Sequence, residues 1–369
     1  MALITAKGGA ITLALCLSAG IAQSLNPTGS IGGTHDPVMI REGNTYYLYH
    51  TGGRVPTKTS PNMIAWTSAG SALSSVPSWI ASTVPNNRGG DMWAPDISHR
   101  NGNFWLYYSV SSFGSNSSAI GLATRTTLAS GEWQDQGMVI TSTTFPVSDN
   151  AIDPNIIVDT EGKVWMCWGS FWNGIHIVQL NPETGKPVAG AQATHIAGRG
   201  GKGIEGPFII HARGYYHLFT SWDKCCAGAS STYNMRYGRS LKAEGPYVDK
   251  AGVALTAGGG TLLSDGSQYP GGHNSVLEDN GKFFLIYHIY TPGINLQIRN
   301  LFFDSQGWPT LDASASGIET ISPLPRSSAS VGEFSPLHDP LGRRFSGPMD
   351  AGKKQAFGSI LLDASGIAH

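Results

Sequence analysis

Charge is scarce in this chain. Of its 369 residues only 13% are Asp, Glu, Lys or Arg, about half the share found in ordinary soluble domains. The formal net charge is −1 and the pI lies near 6.8. No basic stripe is available to neutralise phosphates, which argues against a nucleic-acid partner. Long apolar runs are missing as well. Beyond the N-terminus no stretch is apolar enough to span a bilayer, so no membrane role is expected. No long segment repeats its apolar residues at the helical period. Neither G-x-S-x-G nor H-E-x-x-H occurs, which removes the usual marks of a serine hydrolase and a zinc peptidase. Gly198-Arg-Gly-Gly-Lys-Gly203 fits G-x-G-x-x-G, but Glu205-Gly-Pro207 follows and breaks any helix, so a nucleotide loop is not expected.

Cysteine is sparse, with four in the chain. Cys16 lies in an N-terminal segment that reads as a secretory signal over residues 1–22. Lys7 is a weak positive start, residues 10–22 are apolar but too short to span, and Gly20-Ile-Ala22 offers small residues for cleavage. Secretion to the extracellular space is therefore expected, and that setting permits disulfides. Cys225 and Cys226 are adjacent. They either close a strained eight-membered ring or remain two free thiols. Cys167 sits in the strand-like Val164-Trp-Met-Cys-Trp168 and reads as a buried apolar residue.

Glycine and proline are plentiful, at 48 and 21 residues, and they punctuate a repeat. Five segments share one plan: a polar anchor, an apolar strand, a tight turn, then an aromatic strand. Asp36-Pro-Val-Met-Ile40 turns at Gly43-Asn44 into Tyr46-Tyr-Leu-Tyr-His50. Asp96-Ile97 turns at Asn101-Gly-Asn103 into Phe104-Trp-Leu-Tyr-Tyr-Ser109. Asp153-Pro-Asn-Ile-Ile-Val158 turns at Glu161-Gly-Lys163 into Val164-Trp-Met-Cys-Trp168. Glu205-Gly-Pro-Phe-Ile-Ile210 turns at Arg213-Gly214 into Tyr215-Tyr-His-Leu-Phe219. His273-Asn-Ser-Val-Leu277 turns at Asn280-Gly281 into Lys282-Phe-Phe-Leu-Ile-Tyr287. Each is a hairpin signal, and the spacing suits four-stranded blades. The fold class expected is all-β, a five-bladed β-propeller over residues 30–311. A β-sandwich is the competing fold. Residues 312–369, rich in Ser, Gly and Pro, break the pattern and read as a tail of unassigned role.

In a propeller the first strand of each blade lines the axis. The anchors Asp36, Asp96, Asp153, Glu205 and His273 are therefore expected at one mouth of the channel. Clustered carboxylates repel one another and raise at least one pKa, a cost tolerated where chemistry needs it. Glycosidic cleavage needs a protonated acid on the leaving oxygen and a carboxylate across the sugar ring. A polysaccharide is thus the expected partner. Aromatic faces suit sugar rings, which singles out Trp93, Phe113 and Trp172, with Asn173 beside the last. Asn155 and Ser170 are candidates for hydroxyl contacts. Asp96 reads as structural or substrate-orienting. Asn116-Ser-Ser118 is an N-glycosylation sequon.

His35-Asp-Pro37, Trp93-Ala-Pro-Asp96, Ile152-Asp-Pro-Asn155, Glu205-Gly-Pro-Phe208 and Gly272-His-Asn-Ser275 resemble glycoside hydrolase family 43 over about residues 30 to 311. The loop Ser111-Ser-Phe-Gly-Ser-Asn-Ser-Ser-Ala-Ile-Gly121 and the Cys225-Cys226 pair look more narrowly like its endo-1,5-α-L-arabinanases. The resemblance implies a propeller that inverts configuration, with Asp36 as general base, Glu205 as general acid and Asp153 tuning the acid. It implies a central ion, usually calcium, near His273, and a vicinal disulfide packed against the sugar. A monomer is expected. The alternatives are an exo-acting arabinofuranosidase or β-xylosidase of the same fold, and a sugar-binding propeller without catalysis.

Overall fold

The computed structural model describes residues 24–315, apart from residues 88, 89, 265 and 267–269. The expected signal segment and nearly all of the C-terminal tail lie outside the described residues. Five sheets follow one another along the chain, antiparallel except for one short parallel edge strand. Their first long strands are Val38–Glu42, Asp91–Arg100, Asn155–Val158, Ile204–Ala212 and Gly271–Asp279. Each pairs with the aromatic strand that follows it in sequence. The fold is thus a five-bladed β-propeller.

Local chemistry explains the hairpins. The turns at Asn101-Gly102, Arg213-Gly214 and Asn280-Gly281 hold both central residues at positive φ, the type I′ geometry whose twist matches that of strands. Alternate side chains of each sheet then face the neighbouring blades and form five apolar seams. One joins blades one and two around Tyr49, Met92 and Leu106. The next three lie around Trp105 and Trp168, around Ile177 and Leu218, and around Phe219 and Leu285. The fifth packs Leu48 and Trp66 of blade one against Ile286 and Ile298 of blade five, closing the ring. Burying each such aliphatic side chain is worth roughly 1.5–3 kcal/mol.

The N-terminal segment laces this closure. Ser24 bridges to Arg299 and Gly32 to Asn295, while Thr28–Gly29 adds a parallel edge to Ala65–Ser71 of blade one. Across the same seam Asp279 takes Arg41 at 2.7 Å and the Tyr46 hydroxyl at 2.9 Å.

One backbone feature recurs at the axis. Asp36, Ala94, Asp153, Gly206 and His273 all have positive φ. Pro follows the first four, and Asn274 follows the fifth. In blades two, four and five these residues sit in register breaks between Trp93/Asp96, Glu205/Phe208 and Gly272/Ser275, which is the signature of a β-bulge. The five anchors, expected to be equivalent, differ in register. The counterpart of Asp36 in blade two is Ala94, not Asp96, which comes two residues later. In blade four it is Gly206, and Glu205 stands one residue before it.

Candidate active site

The five positive-φ positions are tied in a ring. In four blades the residue paired with the position just before the positive-φ residue lends a side chain to the N–H of its counterpart in the next blade. Thr51 Oγ1 accepts from Ala94 at 2.8 Å, Ser109 Oγ from Asp153 at 2.8 Å, Ser221 Oγ from His273 at 2.7 Å and His288 Nδ1 from Asp36 at 3.1 Å. In blade three this position is Gly169, which has no side chain to offer. There the carboxylate of Asp153 takes the Gly206 N–H at 3.1 Å. That bond brings Asp153 beside Glu205.

Asp36 is buried, with 7% of its surface exposed. Its Oδ2 accepts from the Thr51 hydroxyl at 2.5 Å and lies 2.7 Å from His35 Nδ1. Its Oδ1 lies 3.2 Å from His273 Nδ1 and 3.5 Å from His288 Nδ1. Burial opposes ionisation, but the imidazoles of His273, His35 and His288 outweigh it and hold the carboxyl below its usual range. Burial pushes His273 and His288 down in turn. For His35, burial works in the same direction, but Asp36 overcomes it and the net shift is upward. Of these three imidazoles only His35 is shifted toward its charged form.

Glu205 and Asp153 behave in the opposite way. Burial drives the Glu205 carboxyl up, the charge of Asp36 adds to this, and hydrogen bonding from Ser170 and Tyr233 only partly offsets it. Burial also drives Asp153 well up, reinforced by Glu205 and Asp36. One carboxyl is thus kept ionised and two are biased toward the neutral acid, within a single buried cluster. This is the division of labour that acid–base hydrolysis uses.

The remaining candidates separate. Ser170 is buried and its hydroxyl donates to Glu205 Oε2 at 2.8 Å. Asn155 is a correction: it does not point into a sugar site. It is 2% exposed; its amide donates to Asp96 Oδ1 at 3.2 Å and accepts the Ile209 N–H at 2.8 Å, stitching blades two, three and four. Asp96 also accepts the Ile156 N–H at 2.8 Å, and burial raises it to about 7 despite these bonds. It stands in this stitch.

Trp93 is half-buried, Asn173 is exposed and Trp172 is 38% exposed. Phe113, at 86%, is the most exposed large apolar side chain among the described residues. Phe171 and Trp172 both have positive φ, unusual for bulky residues, in the loop that carries Ser170. The sequon side chains are engaged: Asn116 Nδ2 donates to Asp149 O at 3.3 Å and Ser118 Oγ to Asn150 Oδ1 at 2.6 Å.

Cys225 and Cys226 are joined to each other, and Cys167 is free and buried. His35, Thr51, Tyr233, His288 and Tyr290 are site residues that sequence reasoning missed. The Tyr233 hydroxyl is buried without a partner of good geometry, and Glu205, Asp36 and Asp153 add to the burial that pushes it up.

Calcium takes six to eight ligands, chiefly oxygens and water among them; toward a calcium near His273 that side chain has Nε2 to offer, since its Nδ1 faces Asp36. Among the described residues, the group of three side chains spaced to hold an ion is His35, Asp36 and His288. It omits His273 and is mostly nitrogen.

A family model described as Glycosyl hydrolases family 43 matches residues 25–309. The extracellular endo-α-(1→5)-L-arabinanase 1 of Bacillus subtilis (strain 168) is 43% identical over 288 residues, covering 75% of this chain and 87% of that protein. The extracellular exo-α-(1→5)-L-arabinofuranosidase ArbA of Cellvibrio japonicus (strain Ueda107) is 42% identical over 301 residues, covering 75% and 86%. Among solved structures, a family 43 endo-arabinanase from Bacillus licheniformis aligns with TM-score 0.72 at 43% identity, over 77% of this chain and 99% of that one. A Cellvibrio cellulosa α-L-arabinanase complexed with arabinohexaose aligns with TM-score 0.72 at 40% identity, over 77% and 98%. Match, identity and propeller agree, and the chain belongs to glycosyl hydrolase family 43 as a glycoside hydrolase.

Proposed function

We propose that this enzyme is a secreted endo-arabinanase that hydrolyses α-1,5-arabinofuranosyl linkages of arabinan with inversion. The observation that carries the reading is the split within the carboxyl cluster: Asp36 held ionised, Glu205 and Asp153 held toward the neutral form. In this reading the Asp36 carboxylate takes a proton from water as the water attacks the anomeric carbon. Glu205 gives its proton to the departing oxygen. Asp153, through the Gly206 N–H, holds the Glu205 strand and discourages early ionisation of the acid. Asp36 and Glu205 come from blades one and four, which are not adjacent in the ring. That supports a separation wide enough for the water an inverting enzyme needs.

Arabinan as substrate is supported by the relatives named for it. Their names divide between endo and exo action at nearly equal identity, so product size is the deciding observation. Secretion is supported by the two relatives named extracellular; among the described residues no helix is long and apolar enough to cross a membrane.

The test is digestion of linear arabinan by the purified full chain, with Asp36→Ala as the blank. Early release of short oligosaccharides with a rapid fall in viscosity supports endo cleavage. Arabinose as the sole early product refutes it, and an unreactive wild type refutes the arabinan reading altogether.

A further inference from the structure

The vicinal disulfide is connected to the carboxylate read here as the base. Tyr290 lies on Lys282–Thr291 of blade five, and its hydroxyl oxygen accepts the Cys226 N–H at 2.9 Å. The same hydroxyl lies 2.8 Å from His35 Nε2, and His35 Nδ1 lies 2.7 Å from Asp36 Oδ2. The His35 ring is further clamped by stacking on His288 at 4.0 Å between centroids. An unbroken path thus runs from the backbone of Cys226 to the Asp36 carboxylate.

The proton count on this path closes in either state of His35. A phenol has one O–H and two lone pairs. One lone pair is taken by the Cys226 N–H. If His35 is an imidazolium, its Nε2–H donates to the other lone pair and the phenol O–H faces Cys226 Sγ, 3.8 Å away. If His35 is neutral with the proton on Nδ1, the phenol O–H donates to Nε2. In both cases Nδ1–H points at Asp36, and Tyr290 is what fixes the ring that carries it. Cys226 in turn holds a positive φ, rare for a residue with a side chain, and its bond to Cys225 restrains that conformation.

We propose that Tyr290 and His35 are positioning residues for Asp36, and that the Cys225–Cys226 ring acts on the reaction through them, by aiming the base. This rests on Asp36 being the base. A disulfide that served only as a surface for the sugar would instead govern substrate affinity, without reference to Tyr290.

The experiment measures kcat and KM on linear arabinan for wild type and Tyr290→Phe, each before and after treatment with tris(2-carboxyethyl)phosphine. The phosphine takes the oxygen of one water to become the phosphine oxide, and the disulfide becomes two thiols. Loss of an anchoring bond in a charge-assisted path should lower kcat about tenfold in Tyr290→Phe with KM unchanged. Reduction should lower wild-type kcat to a similar degree and leave Tyr290→Phe no slower, because the path is already cut. His35→Asn, which keeps a donor toward Asp36 but not the link to Tyr290, should resemble Tyr290→Phe. Wild-type kcat in Tyr290→Phe overturns the proposal, as do losses that multiply and a reduction effect confined to KM. If Tyr290→Phe does not fold, wild-type reduction decides: a kcat loss at constant KM supports the path, and any other result overturns it. Activity persisting in Asp36→Ala defeats the base assignment itself, whereas an inactive Asp36→Ala beside a full-speed Tyr290→Phe defeats only the path.

Discussion

Replacing Glu205 by Gln isolates the one proton that the account needs. The change is nearly isosteric, and the Ser170 hydroxyl, 2.8 Å from Oε2, can still donate to an amide oxygen. What disappears is the dissociable proton. General acid catalysis contributes about 10²–10⁴ in rate, or about 2.7–5.4 kcal/mol at 1.36 kcal/mol per decade. The full loss should appear on arabinan, whose leaving group is a sugar hydroxyl and needs protonation. It should shrink at least tenfold on an aryl arabinofuranoside carrying an acidic phenol, which leaves as an anion (about 1.4 kcal/mol of selectivity). Steady-state kinetics on both substrates gives the ratio directly. Equal losses on the two, or a near wild-type rate on arabinan, refute the assignment of the acid.

Two stability measurements probe the surrounding scaffold. Asp96→Ala should strip the Asn155 amide and the Ile156 N–H of their acceptor, at about 1–3 kcal/mol for each buried group. In urea the folded protein should be weaker by that amount while kcat changes less than about twofold; a large kcat loss at unchanged stability contradicts the structural role. Asp153→Asn tests the pH linkage. The folded-state pKa of Asp153 is raised, so the native protein retains a proton that the unfolded chain releases near its ordinary pKa of about 3.9. That costs stability increasingly as pH rises above this value. Asn stays neutral and can still accept the Gly206 N–H. The variant should therefore melt above wild type at about pH 7 and converge with it near pH 3; a lower melting temperature at neutral pH runs against the stated shift.

The propeller was legible because its evidence is local. Five turn signals, three of them type I′ pairs, separate strands whose apolar patterns are plain. The carboxyl cluster was legible because Asp-Pro and Glu-Gly-Pro mark where strands enter the axis. The register was not. A bulge inserts a residue without altering composition, so Asp96 and Glu205 passed for counterparts of Asp36 when Ala94 and Gly206 hold that place. Asn155 failed as a sugar contact for a related reason: its amide is consumed by Asp96 and Ile209 on neighbouring blades, and pairing across blades leaves no trace in spacing. His35 stands in the His-Asp-Pro motif, where spacing alone gives it no role of its own. Its partners, Tyr290 and His288, lie more than 250 residues downstream and reach it only because blade five closes against blade one.

Single-displacement hydrolysis of arabinan by Asp36 and Glu205 fixes the configuration of the first product. Proton NMR of linear arabinan, recorded in the first minutes after adding the full-length enzyme, tests it most directly. New reducing ends should appear first as the β-anomer on short oligosaccharides and then mutarotate toward equilibrium. An α-anomer appearing first would mean a covalent intermediate and a second displacement, and would contradict the role given to Asp36.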